Sequence, residues 1–150
     1  MRFRDFVEVT RDGLESIAFK LEGDRDLMPM LQIEDARGLS VIGVDPEFFA
    51  ADRLERFVAA YVVPLIIENQ ARKVAWAHCA WQAPAEGVRP SEHPERHEIL
   101  LAVFIDPEVV EHWTAPIIRT GGAVMLGPWQ TGPQNALEGP LITAVQEALR

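Results

Sequence analysis

Apolar residues along this chain are spaced in two ways, and the switches between them mark out helices and strands. Over residues 3–21, Phe3, Phe6, Val7, Leu14, Ile17, Ala18 and Leu21 recur with a helical period while charged residues fill the gaps. This predicts one amphipathic helix, weakened by Gly13. Gly23-Asp24-Arg25-Asp26 breaks it. Residues 28–33 and 39–44 read as the strands of a hairpin, joined by Glu34-Asp35-Ala36-Arg37-Gly38 with the glycine such loops require.

The second of these strands runs into Asp45-Pro46-Glu47, and the same triplet returns as Asp106-Pro107-Glu108 after the apolar run 99–105. Each triplet has the chemistry of a helix start. Asp offers its carboxylate to orphan N–H groups, Pro has a suitable φ and no N–H, and Glu suits the positive first turn. Val44 with Phe49, and Ile105 with Val110, have the spacing of a hydrophobic staple. A helix is expected after each triplet, the first with Ala50, Leu54, Phe57, Val58 and Tyr61 inward, the second with Val109, Val110, Trp113 and Ile117. Pro64 is expected to kink or divide the first, and Pro116 to end or bend the second. Beyond the triplets the two units do not match, so duplication and convergence on a good junction both account for them.

Residues 74–81 and 99–105 are rich in β-branched and aromatic side chains and predict a second strand pair. Their connection, 83–96, is long and carries Pro84, Pro90 and Pro94, which marks it as the expected mobile or functional loop. Both faces of this pair are apolar, so it needs cover above and below. Helices on both faces would supply that cover, as would a second copy of the chain, and the latter is the ground for expecting a homo-oligomer. Residues 123–126 suggest a short extra strand. Gly127-Pro128, Gly132-Pro133 and Gly139-Pro140 then punctuate the chain before a last helix with Leu141, Ile142, Val145 and Leu149 inward. The predicted fold is α+β, or mixed α/β: an N-terminal helix, two strand-strand-helix units forming one mixed sheet with helices packed on it, a short extra strand, and a C-terminal helix.

Composition narrows the class. The 150 residues suit a single globular domain over 1–150, and 48% hydrophobic with 25% charged residues is ordinary for a soluble one. A net charge of -9, from 23 acidic and 14 basic residues, works against nucleic acid and anionic membrane surfaces. The longest uncharged apolar run, 57–67, is too short for a bilayer and contains Pro64. The opening residues lack the apolar core and small-residue cleavage site of an export signal, and Cys79 alone makes no internal disulfide. A cytoplasmic location is therefore expected.

Candidate chemistry is sparse. Neither a Walker-type loop nor G-x-G-x-x-G is present, and at the two triplets Asp45 and Asp106 would occupy an anion's place. The acidic triplets are accordingly read as caps. His78, His93 and His97, with Glu92, Glu95 or Glu98, have residue types that bind zinc. Pro90 and Pro94 disfavour the helix that His93 and His97 would share, and Leu101 stands where H-E-x-x-H needs its second histidine. Cys79 lies in Ala-His-Cys-Ala-Trp, the setting of a packed thiol, and Ser16, Ser40 and Ser91 have no nucleophile elbow. Trp129 and Gln130 fall in a Gly-Pro-bounded loop, where the tryptophan either anchors a partner or ligand or plugs the fold. The reading that follows is a non-catalytic protein-interaction or regulatory module that self-associates, with a protein partner and no cofactor. The alternative is a small metal-assisted hydrolase built on the three histidines and a nearby glutamate.

Overall fold

The structure is a computed structural model describing residues 1–21, 27–50, 52–83, 92, 94–132 and 139–150. Helix α1 (Phe3–Phe19) leads into the hairpin β1 (Met30–Asp35) and β2 (Gly38–Gly43). A 3-10 turn (Pro46–Phe49), helix α2 (Leu54–Phe57), a π-helical turn (Val58–Val62) and α3 (Val63–Asn69) follow. Then come β3 (Lys73–Gln82), β4 (His97–Ile105), β5 (Val110–Thr120), β6 (Ala123–Leu126), β7 (Gln130–Thr131) and α4 (Pro140–Leu149). The strands form one sheet in the order β2-β1-β3-β4-β5-β6, with β7 also on β5. Every described ladder is antiparallel. The α+β class is therefore as expected, with helices packed on one sheet, a short extra strand and a closing helix.

Both faces of the central strands are roofed by helices of the same chain. On one face, Phe6, Val7, Leu14 and Ala18 of α1 pack on Ala75, Ala77, Leu100, Ala102, Phe104 and Val124. The alanines let α1 approach closely, and the Phe6 ring meets Phe104 edge-on with centroids 6.2 Å apart. On the other face, Val58, Val62, Ile66, Val145 and Leu149 cover Leu31, Ile33, Val74, Trp76, Val103 and Ile105. The cover that suggested a second copy over the sheet is thus supplied from within.

One expected element is overturned. The helix predicted after Asp106-Pro107-Glu108 is strand β5, so the second unit is strand-strand-strand. Val110, Trp113 and Ile117 fit a helical template, but the segment is also rich in β-branched and aromatic residues, and its strand register against β4 runs from Val110 to Pro116. Pro116 is tolerated because it sits at the last pair of that ladder, opposite Ile99. The local chemistry was read correctly although its sequel was not. Asp106 Oδ1 accepts the N–H groups of Glu108 (2.7 Å) and Val109 (2.6 Å), closing a hairpin turn. Asp45 Oδ1 likewise accepts the Glu47 N–H at 3.0 Å, here capping the 3-10 turn, and regular helix resumes only at Leu54. Pro64 does not break the helix, whose backbone stays helical from Leu54 to Asn69. Having no N–H to give, it follows a widened π turn.

Polar side chains fasten α1 to the sheet at one end. Gln32 Nε2 donates to Thr10 Oγ1, and that hydroxyl donates to the Phe6 carbonyl, each at 2.8 Å. Glu34, buried, accepts from Lys73 Nζ at 2.7 Å and from the Met1 ammonium at 3.2 Å. Burial pushes the Glu34 carboxyl up, but the hydrogen bonds and charges of Lys73 and the ammonium outweigh it and hold the group below its ordinary 4.5. The folded state then binds fewer protons than the unfolded, so this pair stabilises fully above that value and the contribution is lost as pH falls through the folded pKa. Lys73→Met, which leaves the carboxylate buried and underpartnered, is expected to cost about 3 kcal/mol in urea unfolding at neutral pH. The loss should shrink in acid.

Candidate functional site

The side chains that gather at the surface do so around β2 rather than around the histidines. Gly38-Leu39-Ser40-Val41-Ile42-Gly43 carries no charge and forms one edge of the sheet. Its register decides which groups are available. Val44 N–H donates to the Pro29 carbonyl at 2.8 Å, and alternate residues of an antiparallel strand share that role, so Ser40 and Ile42 bond towards β1. Leu39, Val41 and Gly43 consequently direct their N–H and C=O outward. No described strand pairs with that side.

An aromatic cleft adjoins this edge. The Asp45-capped turn places Phe48 against Phe57, with rings stacked at 5.0 Å and 18°. Phe57 and Tyr61, one helical turn apart, stack at 5.4 Å and 15°. Phe48, Phe57 and Tyr61, with Ile42, Arg53 and Arg56, line a cavity of about 570 Å³. Arg53 is paired with Glu47 at 3.2 Å, whereas Arg56 has no carboxylate partner among the described residues. Exposed apolar side chains thus flank this strand on both faces of the sheet, Phe48 (43% exposed) and Tyr61 (43%) on the cleft side with Ile42, and Leu39 (38%) and Val41 (59%) on the other.

The opposite edge is guarded. Helix α1 lies against β6, and Gly127-Pro128 interrupts the return from β6 to β7. Trp129 is half-buried beside α1, and its Nε1 donates to Glu15 Oε1 at 2.9 Å. Gln130 is exposed in β7, opposite Thr114. The indole N–H of the expected anchor is therefore taken up by its own chain.

The histidines do not converge. His78 pairs with Leu101 and His97 with Gln82, on one face but four positions apart along the strands, which separates them by about 13 Å. His97 Nε2 lies 2.9 Å from Gln82 Oε1 at the surface, and Glu98 is held by Arg119 through two 3.0 Å contacts. His93, and most of the connection expected to carry function, lie outside the described residues. Among the described residues no group of three His, Cys, Asp or Glu side chains is placed to hold a metal ion. His78 instead stacks on Phe49 at 4.7 Å, its Nδ1 is 3.1 Å from the Cys79 carbonyl, and it lines a second cavity of about 350 Å³. Cys79 is half-buried on the α1 side, its thiol 3.9 Å from the Leu27 carbonyl.

Sequence reasoning missed the β2 edge and the aromatic cleft. A signal was present in the uncharged run from Leu39 to Gly43 and in the i, i+4 spacing of Phe57 and Tyr61, but both were absorbed into the expected core. Comparison of the chain with models of known protein families, with curated proteins and with solved structures finds no match. No helix among the described residues is long and apolar enough to cross a membrane.

Burial lowers the pKa of His78, against the opposing hydrogen bond to the Cys79 carbonyl, so the imidazole is neutral at pH 7. An NMR titration of His78 is expected to give a midpoint below the ordinary 6.5. The same shift makes the fold lose stability as pH falls below that value, because the unfolded state then binds the extra proton.

Proposed function

We propose that this chain is a non-catalytic protein-interaction module that accepts a strand along β2. The observation carrying this reading is the contrast between the two sheet edges. Natural sheets blunt their edges with charge, proline, bulges or a covering helix, because unpaired N–H and C=O groups are a template for another strand. Helix α1 packs against β6 and Gly-Pro follows that strand, whereas among the described residues no helix lies against β2; neither strand carries a charged residue. The outward row of donors and acceptors on β2 is flanked by exposed Leu39 and Val41 on one face and by Phe48 and Tyr61 on the other. Strand addition at such an edge takes affinity from main-chain hydrogen bonds and selectivity from neighbouring pockets.

Among the described residues the candidate histidines of a hydrolase are not brought together. His78 and His97 stand apart, and the carboxylate of Glu98 is already engaged by Arg119. The triplets also fit a module without chemistry, since both aspartates serve backbone N–H groups of their own turns.

The reading is tested by placing a photoreactive side chain at Val41 or at Met125, which is comparably exposed on the guarded edge. Crosslinking to a protein chain in cells is expected from position 41 and not from 125. Crosslinks from neither position, or equally from both, would contradict it.

A further inference from the structure

We infer that the aromatic cleft beside β2 is a binding site for a small aromatic carboxylic acid, whose flat apolar body lies along the stacked rings and whose carboxylate meets Arg56. The site goes beyond strand addition and requires none, because its walls are side chains on the helix side of the sheet.

The apolar part of the cleft is a row of rings. Phe57 is buried in the middle, and the exposed rings of Phe48 and Tyr61 flank it with planes within 18° of its own. Three near-parallel rings make an ordered wall, which an aromatic body extends by offset or edge contact. The cavity they line measures about 570 Å³, inside the range of roughly 300–1,000 Å³ that takes a small organic ligand. An aliphatic acid of the same size would meet the cation but leave the ring planes unmatched.

The polar part selects for charge. Arg53 and Arg56 line the cleft against one acid, Asp45, so the lining is positive in a chain of net charge -9. These groups are not equally available. Arg53 Nη1 is 3.2 Å from Glu47 Oε2, and Asp45 Oδ1 accepts the Glu47 N–H at 3.0 Å. The Arg56 guanidinium, by contrast, has no hydrogen bond or ion pair among the described residues, and neither does the Tyr61 hydroxyl. Ala60 follows Arg56 by one helical turn and adds little bulk, so the guanidinium and the ring row border the same open space. A guanidinium fork matches a carboxylate with two parallel N–H donors, so a planar acid answers both halves of the lining at once.

The experiment titrates the purified full chain with naphthoate and, separately, with neutral naphthylmethanol and with decanoate, each followed by amide NMR shifts. Naphthoate should give saturable shifts at Phe48, Arg56, Phe57 and Tyr61, bind about tenfold more tightly than the alcohol, and bind more tightly than decanoate. Arg56→Met should bring naphthoate down to the level of the alcohol with an unchanged melting curve, since Arg56 is exposed. Ala60→Phe, also at an exposed position, should fill the cleft and weaken all three compounds. An absence of saturable shifts at these residues overturns the inference, as does naphthoate binding no tighter than the alcohol or an Arg56→Met chain that keeps the preference. Decanoate binding as tightly as naphthoate overturns the aromatic class. Shifts centred on Leu39 and Val41 instead would show the probe coating the exposed face of β2, and would overturn it too. Crosslinking from position 41 is a separate readout, so strand addition stands or falls apart from this site.

Discussion

Strands β3 and β4 are apolar on both faces, and a strand pair of that kind has to be roofed twice. Trp76 and Val103 point to one helical layer while Ala75, Ala77 and Ala102 point to the other. The demand fixes where every helix goes. Among the described residues the segments from α2 to α3 and α4 cover one side, and α1 is the helix on the other. Helix α1 packs toward β6, and at the opposite edge β2 pairs with β1 and with no other described strand.

Much of this architecture could be read from residues alone. The helical period of α1, the strand pairs and the turn chemistry of Asp45 and Asp106 all follow from local rules. Pro64 did not break its helix, where a π turn takes up its missing N–H. The reading failed at β5, where Val110, Trp113 and Ile117 satisfy a helical spacing and the preceding Asp-Pro-Glu announces a helix. A capping aspartate fixes only the first turn, by accepting two N–H groups. Whether helix or strand follows depends on what is waiting to pair, and β4 offered an uncovered ladder from Ile99 to Ile105. That partner is a tertiary fact, invisible to a local pattern.

The site was less legible, for a different physical reason. Chemistry-bearing side chains attract attention in a sequence, so His78, His93, His97 and Trp129 stood out. Strand register then separated His78 from His97, and Glu15 took the Trp129 indole N–H. An edge, by contrast, is defined by what does not lie beside it. Leu39, Val41 and Ile42 look like core residues until the strand order places β2 last and turns two of the three outward. The same holds for Phe48 and Tyr61, whose burial would have been assumed from their type.

Residue-by-residue amide hydrogen exchange along β2 tests the central claim most directly. Ser40 and Ile42 donate toward β1 and should exchange slowly at any concentration, while Leu39, Val41 and Gly43 face outward. The account predicts that in the purified chain this outward set exchanges rapidly while the inward set is protected. Equal protection of all five residues would contradict it.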